Sequence, residues 1–452
     1  MSQELVASMC VPLPEEIRRL VEAGYLQEAR ESLEWKLKGE LPEMLRRRFQ
    51  CEIERLGRMT RNHEAREEDM LKEFLQAFPN ASPDDFRTLE MEGKISFLFV
   101  NGEKRYFKRA VRTLIRDSEV RRRFGLPVSP ENPELDGMIR EAKEKGSVSR
   151  RIALELAIGP EEASFVPDTY RAWLPVPISC AQQSEISVEA GDARLSGEDA
   201  PLRTVFWEKQ LMRPERFTAR VDYRSTIQYT DPMDTRSGLV YPRESAPGEA
   251  DLKEDGVVIR FTPFLRELCR QVMQGTRSDV ERAWKAYEYV TTHVRYSFVR
   301  DYFLLEDLGE FCAVNLRGDC GLQAILFIEL CRLAGVPARW QSGLCVEDGE
   351  VGHHDWAMFW SDRKGWLFAD CSFGGSAWRC GAVDRHRFYF GNIDPQRMAA
   401  NRVCFAPMDP PAQRIRHDPF DNQGGELERD CLERGMDCQD IFRDARLILC
   451  ES

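Results

Sequence analysis

The sequence predicts an α+β protein, because helical and strand-forming patterns occupy separate parts of the chain. Residues 13 to about 79 are rich in Glu, Arg, Leu and Ala, and their apolar residues recur at helical spacing. From about 150 to 245 the apolar runs are short, β-rich and separated by turns. Helical patterns return at 261, and short β-runs follow them. This order predicts an N-terminal helical region, a β-sandwich-like domain and a final α+β domain.

The composition narrows the classes of function. The chain has 452 residues and a net charge of -12, whereas nucleic-acid-binding proteins usually carry a basic field. No stretch approaches the roughly 18 apolar residues that a membrane-spanning helix needs. The first residues lack a basic segment followed by an apolar one, which argues against a signal peptide. We therefore expect a soluble cytoplasmic protein with neither nucleic acid nor membrane as a partner; its oligomeric state stays open.

The first 150 residues divide at a break. The segment PNASPDDF (79–86) interrupts the helical pattern, and Ser82 before Pro83 is a helix-cap signal. We predict two or three helices in an N-terminal helical region at 1–85. Residues 86–150 form a connecting region with a hairpin at Asn101-Gly102 and a helix near 134–145. These residue types indicate packing or interaction and no chemistry.

Two further domains are predicted. Residues 151–250 form an antiparallel β-domain, and a polar segment at 246–256 links it to a domain at 261–452. In this last domain, Ser278 is placed to cap a helix.

The stretch RGDCGLQAILFIELCRLAGVPARW (317–340) contains the strongest catalytic candidate. Gly318 and Gly321 flank Cys320 and allow a tight turn there. The spacing of the apolar residues after Cys320 predicts one buried face of a helix that ends at Gly335. At a helix start, free N–H groups and the helix dipole lower the pKa of a thiol and can hold an oxyanion. Cys331, deep in the helix, is interpreted as a core residue.

A nucleophilic thiol needs a base, and the base needs a residue that orients it. His354 begins the predicted strand HDWAMFW, directly after His353, and Asp370 ends the next predicted strand, GWLFAD. Neighbouring antiparallel strands can bring His354 and Asp370 side by side. Taken singly, the two would be a surface histidine and a turn aspartate. Together with Cys320 they indicate a Cys-His-Asp site.

These motifs resemble the transglutaminase-like superfamily, the papain-like fold that transglutaminases share with many bacterial peptidases and amidases. The family cysteine begins the central helix, as in GDCGLQAILFIELCRLAG, and the family histidine stands two residues before a tryptophan. This pattern selects His354, with Trp356, over His353. The family aspartate corresponds to Asp370, although Cys371 replaces the usual proline after it. The resemblance is strong over about 261–425, fair over 165–245 and absent over 1–150.

The resemblance implies a papain-like transglutaminase core, with a central helix packed on an antiparallel sheet. It also implies a bacterial-type cysteine enzyme that acts on a peptide or other amide through a thioester on Cys320. His354 would transfer protons, and Asp370 would orient it. Whether water or an amine takes the acyl group, giving a peptidase/amidase or a transamidase, stays open. The oxyanion hole would use the Cys320 N–H and one upstream group, for which Asn315 has only its nearness in sequence. No cofactor is predicted.

Two alternatives remain. The first is a catalytically inactive scaffold or binding protein that keeps the fold. The second is a zinc site, although no CxxC pair occurs among the 14 cysteines. Its ligands would come from a set close to the predicted site: His353, His354, Cys345, Cys371 and Cys380.

Overall fold

The N-terminal part is helical, as predicted, but it contains more helices than expected. The computed structural model describes residues 2–432 and 436–451. Before the first strand it has α1 (Ser2–Ala7), α2 (Glu15–Glu22), α3 (Leu26–Lys36), α4 (Glu43–Asn62), α5 (Glu67–Ala77) and α6 (Pro83–Met91). Pro14 and Pro42 precede α2 and α4, and Gly24 follows α2 with a φ of 81°. These residues divide a nearly continuous helical pattern into short helices.

The local signals near residue 82 and residue 101 are confirmed. Ser82 caps α6 in a reciprocal capping box with Asp85. Asn101 and Gly102 both have positive φ, as a two-residue hairpin turn requires. The elements that follow α6 are β1 (Phe97–Val100), β2 (Glu103–Tyr106), α7 (Ala110–Arg116), α8 (Ser118–Arg123) and α9 (Pro133–Lys145).

The middle of the chain supplies six of the eight strands in two four-stranded sheets around a common apolar core. Its strands are β3 (Ser147–Pro160), β4 (Asp168–Pro175), β5 (Gln183–Glu189), β6 (Arg194–Leu195), β7 (Thr204–Leu211) and β8 (Phe217–Gln228). On β8 buried and half-buried or exposed residues alternate over the whole length, the pattern of a strand with one face in a core.

The third part is an α+β unit in which helices accompany a five-stranded antiparallel sheet of order β14-β13-β12-β11-β15. Its helices are α10 (Pro263–Val272), α11 (Asp279–His293), α12 (Leu308–Asn315), α13 (Cys320–Leu333), α14 (Cys371–Cys380) and α15 (Val383–Phe388). A short parallel pair is formed by β9 (Arg295–Tyr296) and β10 (Arg317–Gly318). The sheet strands are β11 (Ala338–Glu347), β12 (Glu350–Ser361), β13 (Gly365–Ala369), β14 (Phe390–Gly391) and β15 (Arg397–Asn401). Ser278 caps α11, as predicted.

The last two strands of the chain pair with strands of the two four-stranded sheets described above. β16 (Glu426–Arg429) pairs with β4, and β17 (Ile441–Glu451) pairs with β3 along most of its length. This differs from the prediction, which assigned all of 261–452 to the catalytic domain. Partner strands nearly 300 residues apart leave no local signal of their pairing, so sequence patterns could not locate it.

Helix α13 is a central helix that is buried on every side rather than along one face. Each residue from Gly321 to Cys331 is buried, including Cys331, which was predicted to be a core residue. The polar residues inside it have partners: Gln323 donates to the Gly318 carbonyl, and Glu329 accepts from the Arg260 N–H. One contact with the sheet joins Phe327 to Phe359 on β12, with ring centroids 6.0 Å apart.

Within the described ranges, no helix is both long enough and apolar enough to cross a membrane.

Candidate active site

Cys320 is the first residue of α13, at the position that the sequence predicted. Asp319 caps the helix, and its carboxylate accepts from the Leu322 N–H at 3.2 Å. The Tyr302 hydroxyl donates to the same carboxylate oxygen. Cys320 itself is partly exposed, whereas the helix behind it is fully enclosed. Cys320 therefore lies at the end of α13 that is less enclosed than the helix behind it.

His354 and Asp370 lie side by side on neighbouring strands, as predicted. His354 is on β12, and Asp370 follows β13 and caps α14. His354 Nε2 and Asp370 Oδ2 are 2.7 Å apart, and both side chains are buried. His353, the neighbouring candidate, is exposed. Because Asp370 occupies Nε2 of His354, only Nδ1 is left for a reacting group.

Arg397 is a further member of this buried cluster, and the sequence reasoning missed it. From β15 it donates to Asp370 Oδ2 at 2.7 Å and to Asp394 Oδ2 at 2.6 Å. Asp370 Oδ1 accepts from the Phe373 N–H at 2.9 Å. Burial alone would raise the pKa of Asp370, but His354 and Arg397 outweigh it and hold that pKa well below its usual range. Asp370 is therefore an ionised residue that fixes the orientation of His354.

The thiol itself contacts a different residue. Cys320 Sγ lies 3.1 Å from Asp355 Oδ2. Among the described residues, Cys320 makes no hydrogen bond to His354. Consecutive residues of a strand usually point to opposite faces, and here the side chains of His354 and Asp355 have different partners. The structure thus brings His354 to Asp370 and Cys320 to Asp355, and it leaves the Cys320–His354 contact unmade.

The pKa of Cys320 is shifted in the direction opposite to the prediction. Burial raises this pKa well above its ordinary value, and the carboxyls of Asp355 and Asp319 raise it further. The helix start favours a thiolate, but the sequence reasoning did not count the two carboxyls beside it. The predicted low pKa is therefore wrong for this arrangement, in which Cys320 is a protonated thiol.

Asp355 belongs to a buried polar cluster on the sheet. Its Oδ1 accepts from Gln423 Nε2 at 2.5 Å, and the carboxyl of Asp421 is close enough to act on it electrostatically. Asp421 in turn accepts from Ser342, the cross-strand neighbour of Asp355, at 2.8 Å, and from Asn401. Burial, followed by the charge of Asp421, raises the pKa of Asp355 well above its ordinary value. Asp355 therefore holds a proton at pH values where an exposed aspartate is ionised.

Two loops flank the thiol: the Tyr302 loop (297–305) and the Gln423 loop (416–423). Gly321 shows how closely the first approaches, because a Cβ there would lie 2.1 Å from the Tyr302 hydroxyl and 2.9 Å from Asp355 Oδ2. Likewise, a Cβ added to Gly318 would lie 3.0 Å or less from atoms of Cys312 and Leu322. Neither glycine has a positive φ in the structure. These positions need glycine because of the space around the thiol, not because of the tight turn that was predicted.

Helix α4 of the N-terminal region holds both loops. Arg55 Nε donates to the Phe303 carbonyl at 2.9 Å, and Asn62 exchanges hydrogen bonds with Asp301. The guanidinium of Arg58 donates to the carbonyls of residues 416 and 417, at 2.7 and 2.6 Å. The N-terminal region, for which the sequence indicated only packing or interaction, therefore supports the surroundings of the thiol.

The remaining candidates do not join the site. Asn315 is exposed and donates to the Phe311 carbonyl within its own helix. In the ranges that the structure covers, no three His, Cys, Asp or Glu side chains converge as metal ligands would. The zinc alternative therefore has no ligand set there.

Comparison with known proteins supports the class that the fold and motifs define. Residues 266–371 match the family model of the transglutaminase-like superfamily, and this match confirms the resemblance predicted from the sequence over this segment. The matched segment extends from α10 through the start of α14, so it includes Cys320, His354 and Asp370. No curated protein gives a significant match to the chain.

Solved structures with a similar fold come from bacteria. A "Putative Cysteine Protease" from Cytophaga hutchinsonii is 12% identical, with a TM-score of 0.38 over 68% of this chain and 89% of that one. The periplasmic domain of TgpA from Pseudomonas aeruginosa is 14% identical, with a TM-score of 0.25 over 58% of this chain and 96% of that domain. At these scores, neither similarity identifies an activity for this chain.

Proposed function

We propose that the protein is a cysteine-dependent acyl-transfer enzyme that acts on amide bonds, with Cys320 as nucleophile, His354 as proton carrier and Asp370 as its orienting carboxylate. The observation that carries this proposal is the buried His354–Asp370 pair, 2.7 Å apart, on the strand that also contacts the Cys320 thiol through its next residue. A structural role alone does not require an ionised aspartate that is bonded to a histidine beside a partly exposed cysteine.

The proposed reaction uses the Cys320 thiol and the His354 Nδ1 atom that Asp370 leaves free. Nδ1 of His354 takes the thiol proton while Cys320 Sγ attacks the amide carbonyl carbon. The Cys320 N–H, at the start of α13, donates to the oxyanion. When the carbon–nitrogen bond breaks, the leaving amine takes the proton back from His354, and a thioester remains on Cys320. Water or a second amine then attacks the thioester, giving hydrolysis or transamidation.

Before the first step, the thiol must turn from Asp355 toward His354. Catalytic hydrogen bonds are often long or misaligned in the free enzyme and tighten only in the complex with substrate.

One observation favours a second candidate, an inactive transglutaminase-like scaffold: the thiol contacts Asp355, and its pKa is raised. The test uses a peptide digest incubated with the full-length protein and hydroxylamine, which converts an acyl-enzyme into a hydroxamate. We expect hydroxamate with the wild type and none with Cys320→Ala; peptide cleavage in the absence of hydroxylamine would indicate a hydrolase. No difference between the two proteins would establish the scaffold instead.

A further inference from the structure

Asp355 is the residue that contacts the proposed nucleophile, and neither the family motif nor the proposed mechanism uses it. It follows His354 directly, precedes the apolar run WAMFW of β12, and is only 6% exposed. An aspartate in such a position costs free energy unless the surroundings bind it. Here Gln423 Nε2 and the Cys320 thiol both contact it, at 2.5 and 3.1 Å. The site is thus built around this carboxyl.

We propose that Asp355 is a positioning residue that holds the Cys320 thiol in a protonated resting state, turned away from His354. The proposal rests on the proposed function, because a resting state has meaning only for a thiol that later reacts. The Sγ–Oδ2 distance of 3.1 Å places the S–H as donor to the carboxyl oxygen. The same thiol cannot donate to Asp355 and to His354 at once, so the two residues compete for it.

The geometry fixes the acceptor in place. Gln423 Nε2 donates both to Asp355 Oδ1 and to the His354 carbonyl, at 2.5 and 3.0 Å, so it locks the carboxyl against its own strand. On the other side, Asp355 Oδ2 lies close to the start of α13, since a Cβ added to Gly321 would be 2.9 Å from it. The Asp355 carboxyl therefore stays in place, and the thiol is the group that moves.

The acidic groups around Cys320 and Asp355 also favour the protonated thiol. Ionisation of the thiol would place a negative charge beside several acidic groups, and burial and these groups keep the proton on sulfur. The acidic groups that act on Cys320 and Asp355 come from β9, the N-cap of α13, the Tyr302 loop and the Gln423 loop with the stretch leading to it: Tyr296, Asp319, Tyr302, Asp421 and Cys404. Each of them becomes more negative when it loses a proton, so none of them favours a thiolate.

Asp355→Asn is the variant that tests this role, because the amide keeps the shape of the side chain and cannot become negatively charged as the pH rises. The full-length protein is alkylated with iodoacetamide from pH 5.5 to 10, and the labelling of Cys320 is read by peptide mass mapping. We expect the midpoint of Cys320 labelling to fall by one pH unit or more, equivalent to labelling about tenfold faster below the midpoint. Asp348→Asn, at the exposed turn between β11 and β12, is the matched control and should leave the midpoint unchanged.

An unchanged or higher midpoint in folded Asp355→Asn would overturn the proposal. If that variant does not fold, the wild type alone decides: the labelling midpoint of Cys320 must lie above that of exposed Cys10 in the same samples, and a lower midpoint overturns the proposal. Failure of the proposed function gives a different result, since the wild type would then form no more hydroxamate than Cys320→Ala, whatever the labelling midpoints are.

Discussion

Replacement of Arg397 by methionine should destabilise the fold more than any surface change, because its guanidinium joins two buried carboxylates. Arg397 and Asp370 have fully buried side chains, and Arg397 makes three hydrogen bonds to carboxylate oxygens at 2.6 to 3.1 Å. Charged hydrogen bonds contribute about 1.5–3 kcal/mol each before the cost of burying the charge. Removal of one partner from such a network typically costs about 3–5 kcal/mol, and we expect a loss in this range.

The pKa of Asp370 determines how the loss of stability in Arg397→Met should change with pH. The pKa of Asp370 is lowered in the folded protein, so its ionisation stabilises the fold above the unfolded value of about 3.9, and this stabilisation is lost as the pH falls through the folded pKa. In Arg397→Met, Asp370 loses a cation that lowers its pKa, so the opposing effect of burial raises that pKa relative to the wild type. The loss of unfolding free energy in Arg397→Met should therefore be largest at pH 7. It should be smaller at pH 5, because the Asp370 carboxyl of the variant takes up a proton there.

The assay is urea denaturation at both pH values. Arg446→Met is the control, because Arg446 pairs with Asp444 at the surface with 67% of its side chain exposed, and its loss should cost less than about 1 kcal/mol. If Arg397→Met lost no more than this control at pH 7, the role of Arg397 as the support of Asp370 would be refuted.

Two further predictions concern stability around the site. Glu52→Gln, which leaves Arg48 and Arg55 without their buried partner, should cost about 3–5 kcal/mol in urea denaturation; a loss no larger than that of exposed Glu22→Gln would contradict the ion-pair assignment. Gly321→Ala should lower the thermal midpoint by an amount equivalent to about 1–3 kcal/mol, because the added Cβ meets the tyrosine hydroxyl at 2.1 Å. Gly137→Ala, where a Cβ meets nothing within 4 Å, should instead stabilise its helix by about 0.5–1 kcal/mol, and the same gain at position 321 would contradict the packing around the thiol.

Local signals were sufficient for several elements of the fold. Ser82 and Ser278 cap their helices through contacts within four residues, and Asn101-Gly102 turns within two. His354 and Asp370 lie on consecutive strands joined by a short turn, so their pairing also follows from nearby sequence. In each case the partners are close along the chain, and residue type and spacing determine the structure.

The rest depends on contacts between distant segments. Arg397 reaches Asp370 from a strand 27 residues further along, and its only sequence signal is a lone arginine before an apolar run. Asp355 carries a similar signal, an acid before an apolar run, but its contact with Cys320 depends on side-chain direction. Arg58 contacts a loop more than 350 residues away. No periodicity or motif encodes these contacts between distant residues. Together they form the surroundings of the Cys320 thiol.

The central claim is that Cys320 forms a thioester with help from His354. The most direct measurement is acid quenching of the full-length protein during incubation with a peptide digest, followed by mass mapping of hydroxylamine-sensitive acyl adducts. The account predicts an adduct on Cys320 in the wild type, none in Cys320→Ala, and strongly reduced formation in His354→Gln. An adduct on another cysteine, or equal adduct formation on Cys320 with and without His354, would contradict it.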